Sequence, residues 1–172
     1  MTRTIVNYEI TAKLYESACT LVWRGRRIAD GEPVVLKILK PEAATEEALA
    51  SFRREFGIVS KVALPGVVRA YGLEEYRGSP MMVLEDMGGE SLDRLLGREP
   101  LPLMRFLELA IGIADTLAGI HDLRIIHKDL NPANIVYNPD TGQFRLIDFG
   151  IADELPRHTV AMQPPAALEG TL

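Results

Sequence analysis

The stretch RIIHKDLNPANIVYN, residues 124–138, sets His127, Lys128, Asp129, Asn131 and Asn134 between two β-branched apolar runs. Polar groups so placed are costly unless they find partners. A little further on, LIDFG puts Asp148 just ahead of Phe149 and Gly150. The intervening run NIVYNPDTGQFRLIDF has the pattern of two strands joined by an Asn-Pro and Thr-Gly turn, which would bring Asn134 and Asp148 together. An amide oxygen and a carboxylate at converging strand ends suit a hard divalent cation that keeps some waters and shares phosphate oxygens, with Mg2+ the natural candidate. Asp129 could then accept the proton of a hydroxyl held near that phosphate. Capping and turn roles could explain any one of Asp129, Asn134 and Asp148.

Residues 8–40 must position a second group. YEITAKLY, TLVWRGRRI and PVVLKIL are β-prone runs divided by short polar links, ADGEP among them, and predict a small antiparallel sheet. Lys37 stands on the third run with Val35 and Leu39 on its face and Leu36 and Ile38 on the other. The strand is therefore apolar on both sides, and its lysine needs a partner. Beyond Pro41 the period changes: Leu49, Phe52, Phe56 and Val59 recur at helical spacing, with Thr45 as the cap and Glu46 and Glu47 in the first turn. Glu55 lies on the face shared with Phe52 and Val59, although a glutamate behind two arginines also reads as a solvated or locally paired residue. GVVRAYGLEEY and PMMVLEDM predict two further strands, MGGESL a flexible break and SLDRLL a short helix. Residues 103–121 carry Met104, Leu107, Ile111 or Ala110, Ala114, Leu117 and His121 at helical spacing, a long helix that leads into the opening stretch.

Bulk properties narrow the choice of partners. A chain of 172 residues that is 47% hydrophobic and 25% charged reads as globular, with one ordinary core or two small lobes. Its net charge of -5 argues against a nucleic-acid or anionic-membrane surface. Cys19 is the only cysteine, which excludes a disulfide framework and fits a reducing compartment, so the cytoplasm is expected. It reads as a small filler, and Trp23 and the methionines as packing residues. The most apolar long window, LPLMRFLELAIGIADTLAGIH, holds Arg105, Glu108 and Asp115, too many charges for a membrane span.

HKDLNPAN resembles the catalytic loop of protein kinases, DFG at 148–150 is similar to that family's metal-binding motif, and VVLKIL resembles its nucleotide-binding strand. The resemblance covers nearly all of residues 8–172. It implies an α+β, bilobal fold: an antiparallel β N-lobe over residues 1–87, a hinge at 85–89, and a partial, mainly helical C-lobe over 88–172 with the catalytic loop, DFG and the start of the activation segment. ATP would lie in the cleft, with Mg2+. By the same resemblance Lys37 would hold the α and β phosphates with Glu55 as its helix partner, Asp129 would orient or deprotonate the substrate hydroxyl, and Asn134 and Asp148 would hold metal. Leu84 would guard the back of the adenine pocket, the backbone of Glu85 and Met87 would pair with adenine, and Val22, Val35 and Val136 would sandwich the base. His127 is expected to pack and hydrogen-bond beneath the loop, in an apolar column with Phe149, Val59 and Ala70.

The chain departs from that family's pattern in three places. Tyr15, Ser17 and Thr20 stand at the three glycine positions of the loop that covers phosphates. Asn131 takes the place of a lysine near the transferred phosphate, and Lys128 that of an arginine which reads activation-segment phosphorylation. Last, the sequence stops at LEGTL, which resembles the Gly-Thr of a Ser/Thr-type activation segment, so a truncated kinase domain with further domains beyond Leu172 is expected. YEITAKLYESACTLVWRG, HKDLNPANI and LEGTL further resemble the N-terminal kinase-like domain of large bacterial signalling proteins that append an ATPase module and a sensor histidine kinase. The activity implied is ATP-dependent phosphotransfer to Ser/Thr of proteins, in signalling, with the protein substrate unspecified. Two rivals stand: a pseudokinase or regulatory nucleotide-binding module, favoured by the altered loop, and a small-molecule phosphotransferase of the aminoglycoside or choline type, opposed by DFG and Gly-Thr.

Overall fold

Alternation along β4 (Pro33–Leu39) decides how the first part of the chain folds, because both faces of this strand are apolar and each must be covered. The computed structural model describes residues 3–5 and 7–155. These fall into two compact units, one holding the residues up to Ser60 together with Arg69–Gly88, the other Lys61–Val68 and the residues from Gly89 on. A single break at 87/88 differs from this division in giving residues 61–68 to the first unit.

The first unit is built on a six-stranded antiparallel sheet. Its strands are β1 (Arg3–Ile5), β2 (Tyr8–Glu16), β3 (Thr20–Arg27), β4, β5 (Ala70–Tyr76) and β6 (Ser79–Glu85), in the order β1-β2-β3-β4-β6-β5. Val34, Leu36 and Ile38 bury one face of β4 with Ile5, Tyr8, Ile10, Met81 and Val83, closed by Trp23 and Tyr76. On the opposite face Leu39 and Met82 pack with Phe52, Phe56 and Leu49 of helix α1 (Glu46–Val59). Thr45 caps α1 by accepting from the Ala48 amide at 3.2 Å, and Glu46 and Glu47 occupy its positive end. Arg77 and Gly78, both at positive φ (54° and 78°), make the two-residue turn between β5 and β6 that suits the twist of paired strands.

Two readings are corrected here. β1 adds a strand ahead of residue 8, too short to show a period. The run GVVRAYGLEEY is not one strand: only Ala70–Tyr76 pairs with β6, whereas Gly66–Val68 runs beside Leu146, whose amide donates to the Gly66 carbonyl at 2.7 Å and whose carbonyl accepts from Val68 at 3.0 Å. A Cβ on Gly66 would overlap the Thr116 side chain, so that crossing needs glycine.

The second unit contains β7 (Glu90–Ser91), α2 (Leu92–Leu96), α3 (Leu103–Asp122), β8 (Ile125–Ile126), β9 (Ile135–Asn138), β10 (Gln143–Leu146) and β11 (Asp153–Glu154). Three strands form the sheet β10-β9-β7, and β11 pairs with β8. In the β9–β10 turn the Asn138 side chain accepts from the Asp140 and Thr141 amides, and Gly142 sits at φ 72°. The long helix predicted over 103–121 is α3. Leu109 and Ile120 are the buried positions, while Met104, Leu107 and Ile111 are exposed together with Leu103 and Phe106. A helix that is apolar nearly all round offers several stripes at the same period, so spacing could not choose among them. No helix among the described residues is long and apolar enough to cross a membrane. The Gly-Thr pair at 170–171 and the activation segment from residue 156 on lie outside the described residues.

Candidate active site

In the first unit, Lys37 finds its partner on the helix. Its Nζ lies 2.6 Å from Glu55 Oε1, with side-chain exposures of 14% and 8%. The carboxylate is thus buried on the α1 face with Phe52 and Val59, and not solvated beside Arg53 and Arg54. The register carries the other assigned residues to the same side of the sheet: Val22 lies opposite Lys37, Val35 opposite Leu84, and Lys37 opposite Met82. Val22, Val35 and Leu84 are half-buried there.

The segment after β6 is held by polar contacts. The Glu85 amide donates to the Arg69 carbonyl at 2.9 Å and its side chain accepts from the Arg69 amide at 3.1 Å, so a base meeting Glu85 would use its carbonyl. Asp86 pairs with Arg24 through two contacts, Nε to Oδ2 at 2.6 Å and Nη2 to Oδ1 at 3.0 Å, and also accepts from the Gly88 amide. The ion pair and the Gly88 amide together hold the backbone on either side of Met87. Arg24 and Asp86 were not singled out from the sequence, although the alternation that put Val22 on the Lys37 face puts Arg24 there too.

The loop between β2 and β3 is closed upon itself. Ser17 Oγ accepts from the backbone amides of Cys19 (3.2 Å) and Thr20 (3.0 Å) and lies 2.9 Å from Thr20 Oγ1. The Ser17 amide donates to the Thr20 carbonyl and the Lys40 amide to that of Cys19. Tyr15, Ser17 and Thr20 all lie outside the positive-φ region, so this turn does not require glycine backbone at the three positions. Glu16 bonds Lys40 at 2.7 Å and Lys13 at 3.0 Å, and these hydrogen bonds pull its carboxyl down to about 2. Cys19, read as a filler, is exposed.

In the second unit the loop residues gather around one carboxylate. Asp129 Oδ1 accepts from the Asn131 side chain at 3.0 Å, and Oδ2 from the Asn134 side chain at 2.9 Å. Asn134 Nδ2 reaches the Asp129 carbonyl as well, which turns Asn134 Oδ1 away as the atom able to meet a cation. Asn131 is used at both ends, since its Oδ1 caps the short turn Pro132–Asn134 by accepting from the Ala133 and Asn134 amides. The Ile147 amide donates to the Asn134 carbonyl at 2.9 Å, which holds Asp148 beside that turn. Val136 follows on β9, half-buried. Asp148 takes φ 61° and accepts from the Gly150 amide, and Lys128 takes φ 65° with its Nζ 3.4 Å from Asp153. Left-handed backbone at residues other than glycine costs about 1 kcal/mol or more each, so the surrounding bonds must enforce it.

His127 sits beneath, buried against Phe149 with ring centroids 4.5 Å apart. Its Nδ1 accepts from the Asp129 amide at 3.3 Å, which leaves Nε2 as the donor to the Ile147 carbonyl at 3.0 Å. Burial lowers its pKa, against smaller raising effects of the Ile147 carbonyl and the carboxylates of Asp148 and Asp129. A neutral ring thereby ties the residue before Asp148 to Asp129. Among the described residues no group of three or more His, Cys, Asp or Glu side chains could cage a metal ion. Asn134 and Asp148 instead offer two hard oxygen donors, which fit a cation completed by phosphate and water.

The protein kinase domain model matches residues 8–169 of this chain. A serine/threonine-protein kinase of Myxococcus xanthus, pkn2, is 37% identical over 134 residues, 76% of this chain and 16% of that protein. A probable serine/threonine-protein kinase of Streptomyces coelicolor is 33% identical over 171 residues, 95% of this chain and 25% of its own length. A DNA damage-responsive serine/threonine-protein kinase of Deinococcus radiodurans, RqkA, is 33% identical over 157 residues, 88% of this chain and 23% of that protein. The chain thus spans about a quarter or less of these relatives' length.

Proposed function

We propose, since the chain belongs to the protein kinase domain family, that it serves ATP-dependent phosphoryl transfer to Ser or Thr hydroxyls of a protein. The observation that carries this reading is the Asp129 carboxylate, gripped at both oxygens by the amides of Asn131 and Asn134. Those donors hold it aimed, as a group that takes a hydroxyl proton must be. The hydroxyl oxygen would bond to the γ-phosphorus as the bond to the β–γ bridging oxygen breaks, with the proton passing to Asp129 and the pair of electrons leaving on ADP. Lys37, fixed by Glu55, would hold the α and β phosphates, and Asn134 and Asp148 would hold Mg2+, which supplies charge neutralisation to the phosphates when bound. Val22, Val35, Leu84 and Val136 would line the base, with the Glu85 carbonyl and the Met87 backbone pairing with its edge. A cytoplasmic setting and further domains in the same polypeptide belong to this reading, the latter suggested by the length of the relatives.

Calorimetric titration of the chain with Mg-ATP and with adenosine tests it. Lys37→Met and Asp148→Asn should each weaken Mg-ATP by more than about 1 kcal/mol, the scale of a charge-assisted contact, and leave adenosine nearly unchanged. Unchanged Mg-ATP affinity in both variants overturns the assignment. A regulatory module that binds nucleotide feebly and acts by contact is the second reading, favoured by the self-closed loop at Ser17.

A further inference from the structure

Backbone amides bind phosphate when they point outward with no other acceptor. In the β2–β3 loop the amides of Cys19 and Thr20 already have one, the hydroxyl of Ser17, which receives both. The loop is closed more firmly by its flanks. Lys40 donates its amide to the Cys19 carbonyl at 2.7 Å and its ammonium to Glu16, while Lys13 takes the other carboxylate oxygen, so an anionic group and its two cations stand paired at the turn. Thr20 Oγ1 completes the set 2.9 Å from Ser17 Oγ.

We propose that the Ser17 hydroxyl is an internal competitor for phosphate: it fills the two amides that a nucleotide's phosphates would take from this loop, and so sets how far the chain prefers a nucleoside triphosphate to the bare nucleoside. This rests on the nucleotide-binding reading above and adds to it a residue that restrains affinity. For phosphate to engage the amides, the Ser17 side chain must rotate away, giving up two accepted hydrogen bonds and its contact with Thr20. Removing the hydroxyl leaves the turn exposed to water and its amides open to phosphate.

The test is isothermal titration of the chain, as wild type, Ser17→Ala and Ser17→Thr, with Mg-ATP and with adenosine. Ser17→Ala should bind Mg-ATP about three- to tenfold tighter than wild type, the range expected for one net hydrogen bond released, with adenosine unchanged. Ser17→Thr, which keeps the hydroxyl, should restore the wild-type ratio. In Ser17→Ala the amide resonances of Cys19 and Thr20 should move on adding Mg-ATP more than they do in wild type. Wild type that binds Mg-ATP, with Ser17→Ala equal or weaker, overturns the proposal and leaves the nucleotide reading standing. Failure of every protein to bind Mg-ATP or adenosine overturns both.

Discussion

Lys37–Glu55 and Lys61–Glu154 each close to 2.6 Å, yet the first pair is 14% and 8% exposed and the second 63% and 48%. Distance alone would rank them equal. Their surroundings do not, because water screens the second and lets either partner stand alone at little loss, whereas the first has exchanged hydration for its partner. A buried pair is less a source of stability than a mutual dependence: removing Lys37 or Glu55 takes from the other its 2.6 Å contact within a buried layer.

The sharpest way to break this comparison is Glu55→Ala, which takes from Lys37 the carboxylate held at 2.6 Å. Unfolding in urea should show a loss of about 3 kcal/mol, and Lys37→Met combined with Glu55→Leu should recover most of it. A loss below about 1 kcal/mol in the single variant would place the two pairs in one class. His127 sharpens the comparison from another side, as a titratable group buried with its polar partners but kept neutral. Its folded pKa is lowered by burial, so as pH falls through about 6.5 the unfolded chain takes up a proton first and stability declines, until the folded ring protonates too. Denaturation at pH 7.5, 6 and 5 should show that decline, and His127→Asn should flatten it. The smallest effect belongs to Lys61→Ala, which should cost less than about 1 kcal/mol and vanish in 1 M salt.

Much of this could be read before folding, where local patterns decide. The two-faced strand around Lys37, the Thr45 cap and the Asx turn at Asn138 are settled by a few neighbours in sequence. Elsewhere the deciding partner is remote. Gly66–Val68 looks like the start of a strand, and only Leu146, distant in sequence, draws it into the other unit. The buried side of α3 stayed hidden because too many of its positions are apolar. At the candidate site, residue types singled out Asp129, Asn134 and Asp148, to which the proposed roles are given. The double duty of Asn131, the grip of Arg24 on Asp86 and the capture of two amides by Ser17 depend on side-chain direction, which spacing does not encode.

Lys128 and Asp148, at φ 65° and 61°, hold a backbone shape that glycine would adopt with less strain. Folding alone would favour losing both side chains. Glycine at either position would relieve that strain and remove with it the Lys128–Asp153 contact or the Asp148 carboxylate. The left-handed turns on either side of the Asp129–Asn134 cluster thus hold their side chains in place against the backbone's own preference, a cost that Arg77 and Arg124 also carry.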